Sequence, residues 1–192
     1  MKQSNLQLAA VTGGIVMAVA LRLLPHPPNF STLAATALFG GASLASRRLA
    51  FLVPLATLFL TDLILVSTSY TAAGVAHAVS WPLVPFIYGS MILTAALGCW
   101  LRSRRSVLTI AGTALAGSIL FFLITNFGVW ATANWYPHTF GGLFACYVAA
   151  IPFFGNELAG DASATLVLFG GFALAQSRVA ALRDSAGAAP VV

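Results

Sequence analysis

The sequence predicts an all-α membrane protein: about six transmembrane helices in one bundle, with a re-entrant or interfacial segment before the last helix. Three observations carry that prediction. Only 7% of the 192 residues are charged and 59% are hydrophobic, whereas an ordinary soluble domain is about a quarter charged. Apolar runs of crossing length recur along the chain, and short arginine clusters separate them at alternate connections. With a mean hydropathy of +0.94, polar surface is too scarce for a water-facing shell. The natural solvent is a bilayer.

A crossing helix needs about 20 mostly apolar residues. Runs of this kind lie at 6–24, 32–45, 49–68, 80–101, 107–133 and 157–177. The first carries Ala9, Ala10, Gly13, Gly14 and Ala18, small-residue spacings suited to close helix packing. Lys2, this apolar run and "AVA" at 18–20 also fit a secretory leader, whose cleavage leaves five spans in the same orientation. The second run is short and starts at or inside "PHPPNFS" (25–31). Consecutive prolines lack donors and hold the chain extended, so this stretch is not helical. Such a piece at membrane depth belongs where protein covers it or where it lines a cavity; a stiff turn is the plainer alternative. Residues 140–154, "FGGLFACYVAAIPFF", are short for a crossing and end against Pro152, which gives the re-entrant or interfacial piece. Gly40-Gly41 and Gly170-Gly171 permit close helix packing in the second and last spans. The domain spans 1–178, and 179–192 are expected to form a cytoplasmic tail without structure.

Charge placement sets the orientation. "SRR" (46–48), "RSRR" (102–105) and "RVAALR" (178–183) fall at alternate connections, and with Lys2 they place eight of the nine cations on one side, leaving Arg22 at the other. By the positive-inside tendency that side is cytoplasmic, which puts both termini inside a multi-pass protein of the bacterial inner membrane. A seventh full span at 140–154 would send the last arginines outside. Trp81 and Trp100 bracket the fourth span at roughly 28 Å, close to the hydrocarbon thickness. The net charge of +5 is thus topological, and no basic stripe with interleaved aromatics points to nucleic acid. Cys99 and Cys146 lie far apart and form no metal-binding spacing.

The polar residues gather at the outer end. His26, His77 and His138 fall in external connections, and Asp62 lies in the outward half of the third span. Asn126, Trp130 and Asn134, four apart, share one face of the fifth span. Asn156, Glu157 and Asp161 open the last span. A charge at membrane depth costs several kcal/mol unless it pairs or lines a wet cavity, so Asp62 is the leading candidate for ligand contact; a salt bridge to Arg22 that ties two helices is the competing role. Glu157 and Asp161 also suit the dipole of a helix N-terminus. Two carboxamides flanking an indole combine hydrogen bonding with a stacking surface, as small-molecule pockets do. The candidate substrate-binding residues are Asn29, Asp62, Asn126, Trp130, Asn134, Asn156, Glu157 and Asp161. The histidines lack the close spacing of a prebuilt metal site, and no metal or other cofactor is expected.

Four stretches, "PHPPNFSTLAATALFGG", "LVPLATLFLTDLIL", "LFFLITNFGVW" and "CYVAAIPFFGNELAGD", together resemble an uncharacterised bacterial family of small proteins assigned to membrane transport. The likeness runs from about residue 16 to 175. More distantly, the plan is similar to the substrate-binding S components of energy-coupling-factor (ECF) vitamin transporters, with "IPFFGN" (151–156) standing where those carry a "PFN"-like turn. That similarity implies six helices, a vitamin-like small molecule bound near the external side, and a transmembrane coupling subunit driven by two ATPases as partner. It also implies binding residues on the external loops and the outer ends of the late helices.

The expected function is therefore a substrate-binding or transport component with an outward-facing pocket, lipid around it and no enzymatic activity. No P-loop and no segment long enough for a nucleotide domain is present, so energy comes from partners or an ion gradient. An intramembrane enzyme would need a nucleophile beside a base; Ser31 with His26 and Ser80 with His77 are the only pairs, and neither carries a motif. A structural or assembly subunit is the remaining class, with the same polar residues serving helix packing.

Overall fold

The fold is known from a computed structural model, which describes residues 4–67 and 81–182. His77, Ser80, Lys2, Arg183 and the end of the tail lie outside the described residues. Every regular element among the described residues is helical: α1 (Asn5–Ala20, continued by a 3-10 turn Leu21–Leu23), α2 (Leu33–Ser43), α3 (Arg47–Ser67), α4 (Val84–Leu101, after a 3-10 turn Trp81–Leu83), α5 (Val107–Thr132), α6 (Phe140–Thr165) and α7 (Gly171–Arg178). A π-helical turn, Leu166–Gly170, joins α6 to α7. Four helical stretches are long and apolar enough to cross a membrane: Asn5–Leu23, Trp81–Leu101, Val107–Thr132 and the 39-residue rod Phe140–Arg178. The surface of the bundle is apolar, with Leu52, Leu108, Phe144 and Leu166 exposed. An exposed apolar surface of this extent calls for lipid. The chain is an all-α membrane protein.

Helix α2 is the centre. Its residues Leu33–Ala42 are all buried, as expected for a segment apolar on every side. Phe39 and Leu38 pack against Val11, Ile15 and Val19 of α1 and against Leu168 and Phe169. At 11 residues it rises only about 16 Å, half the hydrocarbon thickness. The non-helical stretch 24–32 leads into it. α2 meets α4 almost backbone to backbone: a methyl on Gly41 would collide with the Ala95 carbonyl, and one on Gly98 with the Leu38 carbonyl. Gly98→Ala is therefore expected to lower the unfolding free energy by about 1–3 kcal/mol, read as a lower thermal midpoint in detergent. Of the glycine pairs expected to pack closely, Gly40 approaches Pro54. Gly170 and Gly171 do not, because they fall where the π-turn ends.

The two ends of the bundle differ in chemistry. At one end the arginines cap α2: Arg102 donates to the carbonyls of Ala45 (3.0 Å), Gly41 (2.9 Å) and Leu44 (2.7 Å), and Arg105 donates to Ala42. Arg104 stacks on Trp100, 4.6 Å from the ring centre. The last described turn lies at this end as well, because Gln7 on α1 donates to the Leu182 carbonyl at 2.9 Å. Packing thus extends past the expected boundary at 178, to a buried Leu182.

Two expectations about the last third are corrected. Residues 140–154 are not a re-entrant piece; they form the first half of a continuous helix that runs through Pro152. The helix starts where Thr139, as N-cap, accepts a hydrogen bond from the Gly142 amide at 3.2 Å. Asn156, Glu157 and Asp161 consequently sit mid-helix, and no helix N-terminus of their own stabilises them. Proline within a membrane-spanning helix costs one backbone hydrogen bond, a loss that such helices tolerate; α3 also carries a proline inside it, Pro54.

Candidate functional site

At the end of the bundle opposite Arg102 and Arg105 there is a cavity of about 400 Å³, within the range of small-molecule sites. Several parts of the chain build it. The stretch 24–32 contributes Asn29, Phe30 and Ser31, α3 contributes Asp62, α5 contributes Phe121, Phe122 and Asn126, and α6 contributes Phe154 and Glu157. The 3-10 turn after α1 contributes Arg22, α4 contributes Ile87, and His26 belongs to the stretch 24–32.

The stretch 24–32 is held in place group by group. Asn29 adopts φ 58°, a left-handed conformation that asparagine tolerates better than most residues. The Phe30 amide donates to the Pro27 carbonyl at 3.1 Å, and Asn156 donates to the Pro28 carbonyl at 2.9 Å. Thr32 donates to the Ala18 carbonyl at 2.9 Å. A methyl on Gly160 would strike the Ser31 carbonyl, so glycine there lets α6 lie against this stretch. The sequence "PHPPNFS" is thus a tethered, non-helical wall of the cavity, with Pro25, Pro27, Pro28 and Asn29 exposed.

On the α1–α3–α4 side, one charged cluster closes the wall. Arg22 donates to Asp62 Oδ1 at 2.9 Å and to Thr61 at 3.0 Å, while the Tyr88 hydroxyl donates to Asp62 Oδ2 at 3.0 Å. The pair is largely shielded, with side-chain exposures of 22% and 13%. Asp62 therefore both lines the cavity and ties three helices. Across the cavity stands Glu157, 6% exposed, whose Oε1 is buried without a hydrogen-bond partner among the described residues.

Four of the eight candidate residues, Asn29, Asp62, Asn126 and Glu157, line the cavity together. The other four lie outside that lining and are occupied elsewhere, or exposed. Asp161 is one turn deeper: its Oδ1 accepts from the Ala35 amide at 3.1 Å and its Oδ2 from Ser118 at 2.8 Å. It caps the buried N-terminus of α2. Trp130 donates to the Pro137 carbonyl at 3.0 Å and meets the edge of His138, which pins the α5–α6 turn. Asn134 does not share a face with Asn126, because α5 ends at Thr132 and leaves Asn134 exposed in that turn. Asn156 braces the wall from behind.

Tyr88 and the phenylalanines of the lining were not among the sequence candidates. Tyr88 had a signal, a phenol inside the otherwise apolar α4. The rings had none, since fourteen phenylalanines occur in the chain and spacing alone does not separate lining from core. Ser31 accepts from the Leu33 amide at 3.2 Å, and His26 Nδ1 lies 3.0 Å from the Pro27 carbonyl. Among the described residues no group of three or more His, Cys, Asp or Glu side chains is arranged to hold a metal ion.

A family model described as a family of unknown function (DUF6580) matches residues 2–182. No curated protein matches the chain. No solved structure matches it either.

Proposed function

The chain belongs to the DUF6580 family, whose activity is unassigned, and from that premise we propose that it is the substrate-binding component of a membrane transport system. The observation behind the proposal is convergence: polar groups from three helices and one non-helical wall meet in a single cavity of about 400 Å³. Polar side chains at membrane depth are costly unless they pair or surround something wet, and one of these, Glu157, has a buried Oε1 with no hydrogen-bond partner among the described residues. The central helix is capped at both ends, by Asp161 and by Arg102, which gives the cavity a rigid back. By the positive-inside tendency the arginine end faces the cytoplasm, so both termini are cytoplasmic and the cavity faces outward in the inner membrane. Like an ECF S component, which it resembles in plan, the protein would pass its small molecule, vitamin-like in size, to a transmembrane coupling subunit with ATPases. It has no catalytic role in this reading.

The Arg22–Asp62–Tyr88 cluster favours a second reading, that of a structural subunit whose polar residues fasten helices. One experiment separates the two. The protein is purified in mild detergent and small molecules released from it are identified by native mass spectrometry. Ile87→Trp, which fills the cavity from α4, is expected to leave a monodisperse protein without the bound molecule. No released molecule from wild type, with Asp62→Asn lowering only stability, would establish the structural reading instead.

A further inference from the structure

We infer that the molecule held in the cavity carries a protonated amine, seated on Glu157 with its apolar body among phenylalanine rings; the inference rests on the cavity being a binding site. The cation of the lining, Arg22, is engaged by Asp62 and Thr61, and Asp62 has its second oxygen on Tyr88. That wall is closed and electrically balanced. Glu157 is the remaining acid of the cavity, and its buried Oε1 has no donor among the described residues.

Buried acceptors in folded proteins are almost always partnered, so an unpartnered acceptor on a carboxylate that lines a cavity is complementary to a donor that arrives with the ligand. An ammonium group supplies several N–H donors and the charge that suits a carboxylate. Asn126 adds to this polarity. Its Nδ2 donates to the Phe122 carbonyl at 2.8 Å within its own helix, and its Oδ1 offers a second acceptor. The rings of Phe122 and Phe154, 4.7 Å apart, and of Phe121 line the same space. Aromatic faces attract cations and pack against apolar carbon alike. A carboxylate or phosphate ligand would instead meet Glu157 and a guanidinium already engaged.

The test uses the full chain in detergent and three probes of one shape: 2-phenylethylammonium, 2-phenylethanol and phenylacetate. Calorimetric titration is expected to detect binding of the ammonium alone. Glu157→Gln, which keeps the shape and removes the charge, should weaken that binding by about tenfold or more, the scale of a charge-assisted hydrogen bond. Phenylacetate or phenylethanol binding as tightly as the ammonium in wild type would overturn the inference, without recourse to any variant. So would an unchanged ammonium affinity in Glu157→Gln. If Ile87→Trp then still abolishes binding, the cavity remains the site and only the charge assignment falls. If Ile87→Trp also changes nothing and wild type releases no small molecule, the binding reading falls with it.

Discussion

Replacing Asp161 with alanine is expected to lower the unfolding free energy by about 2–4 kcal/mol, the combined scale of orphaned buried donors and a lost helix-terminus charge. The cause is the position of α2. The first amides of a helix have no partner inside the helix, and the N-terminus of α2 is buried within the bundle, away from water. Asp161 accepts from Ala35 there, and from Ser118 on α5. Alanine leaves the Ala35 amide unsatisfied in a setting where that costs about 1–3 kcal/mol, and the Ser118 hydroxyl with only the weaker bond to the Ala114 carbonyl. Asp161→Asn keeps one acceptor and is expected to lose roughly half as much, since the Ser118 hydroxyl also reaches the Ala114 carbonyl at 3.2 Å. Thermal unfolding in detergent, followed by circular dichroism, measures both. An unchanged midpoint in Asp161→Ala would mean that the cap contributes nothing to α2.

Why Asp161 and Glu157 have different roles could not be read from the sequence. Four residues along a helix advance about 6 Å and turn about 40°, so the two acids do share a face, as their spacing says. That small advance carries the side chain from the cavity to the end of α2. Only the location of α2, a tertiary fact, separates the two environments. The short second helix and its non-helical approach were legible, because prolines 25, 27 and 28 admit no helix. The continuity of α6 was not, because Pro152 and the polar run "GNELAGD" interrupt the apolar pattern while the backbone continues through them. Asn134 was misplaced for a similar reason: the 3.6-residue period carries on one step beyond the helix, and nothing local marks Thr132 as the last residue. Asn29, Asp62, Asn126 and Glu157 meet in one cavity, since that depends on which end of each helix a residue occupies and not on where its side chain finds a partner.

A double-mutant cycle on Arg22 and Asp62 carries the largest expected single-site effect. Arg22→Met should cost about 3–5 kcal/mol, the usual penalty for leaving a shielded charge without its partner. Asp62 would keep only the Tyr88 hydroxyl, at 3.0 Å, and a phenol does not neutralise a carboxylate. Removing both charges together, as Arg22→Met with Asp62→Leu, should recover most of that loss, because well-packed apolar residues often replace a buried pair at no net cost. The thermal midpoints of wild type, Arg22→Met, Asp62→Leu and the double variant give the coupling energy, and a double variant as unstable as Arg22→Met would contradict the argument. The same four proteins also report on function. If the cluster only fastens α1, α3 and α4, the double variant is stable and otherwise unchanged. If the cluster is also a wall of the binding cavity, the double variant is stable yet has altered affinity for the released molecule, since its polar face has become apolar. Stability and binding thus separate in one protein, and that separation distinguishes a helix tie from a tie that also shapes the cavity.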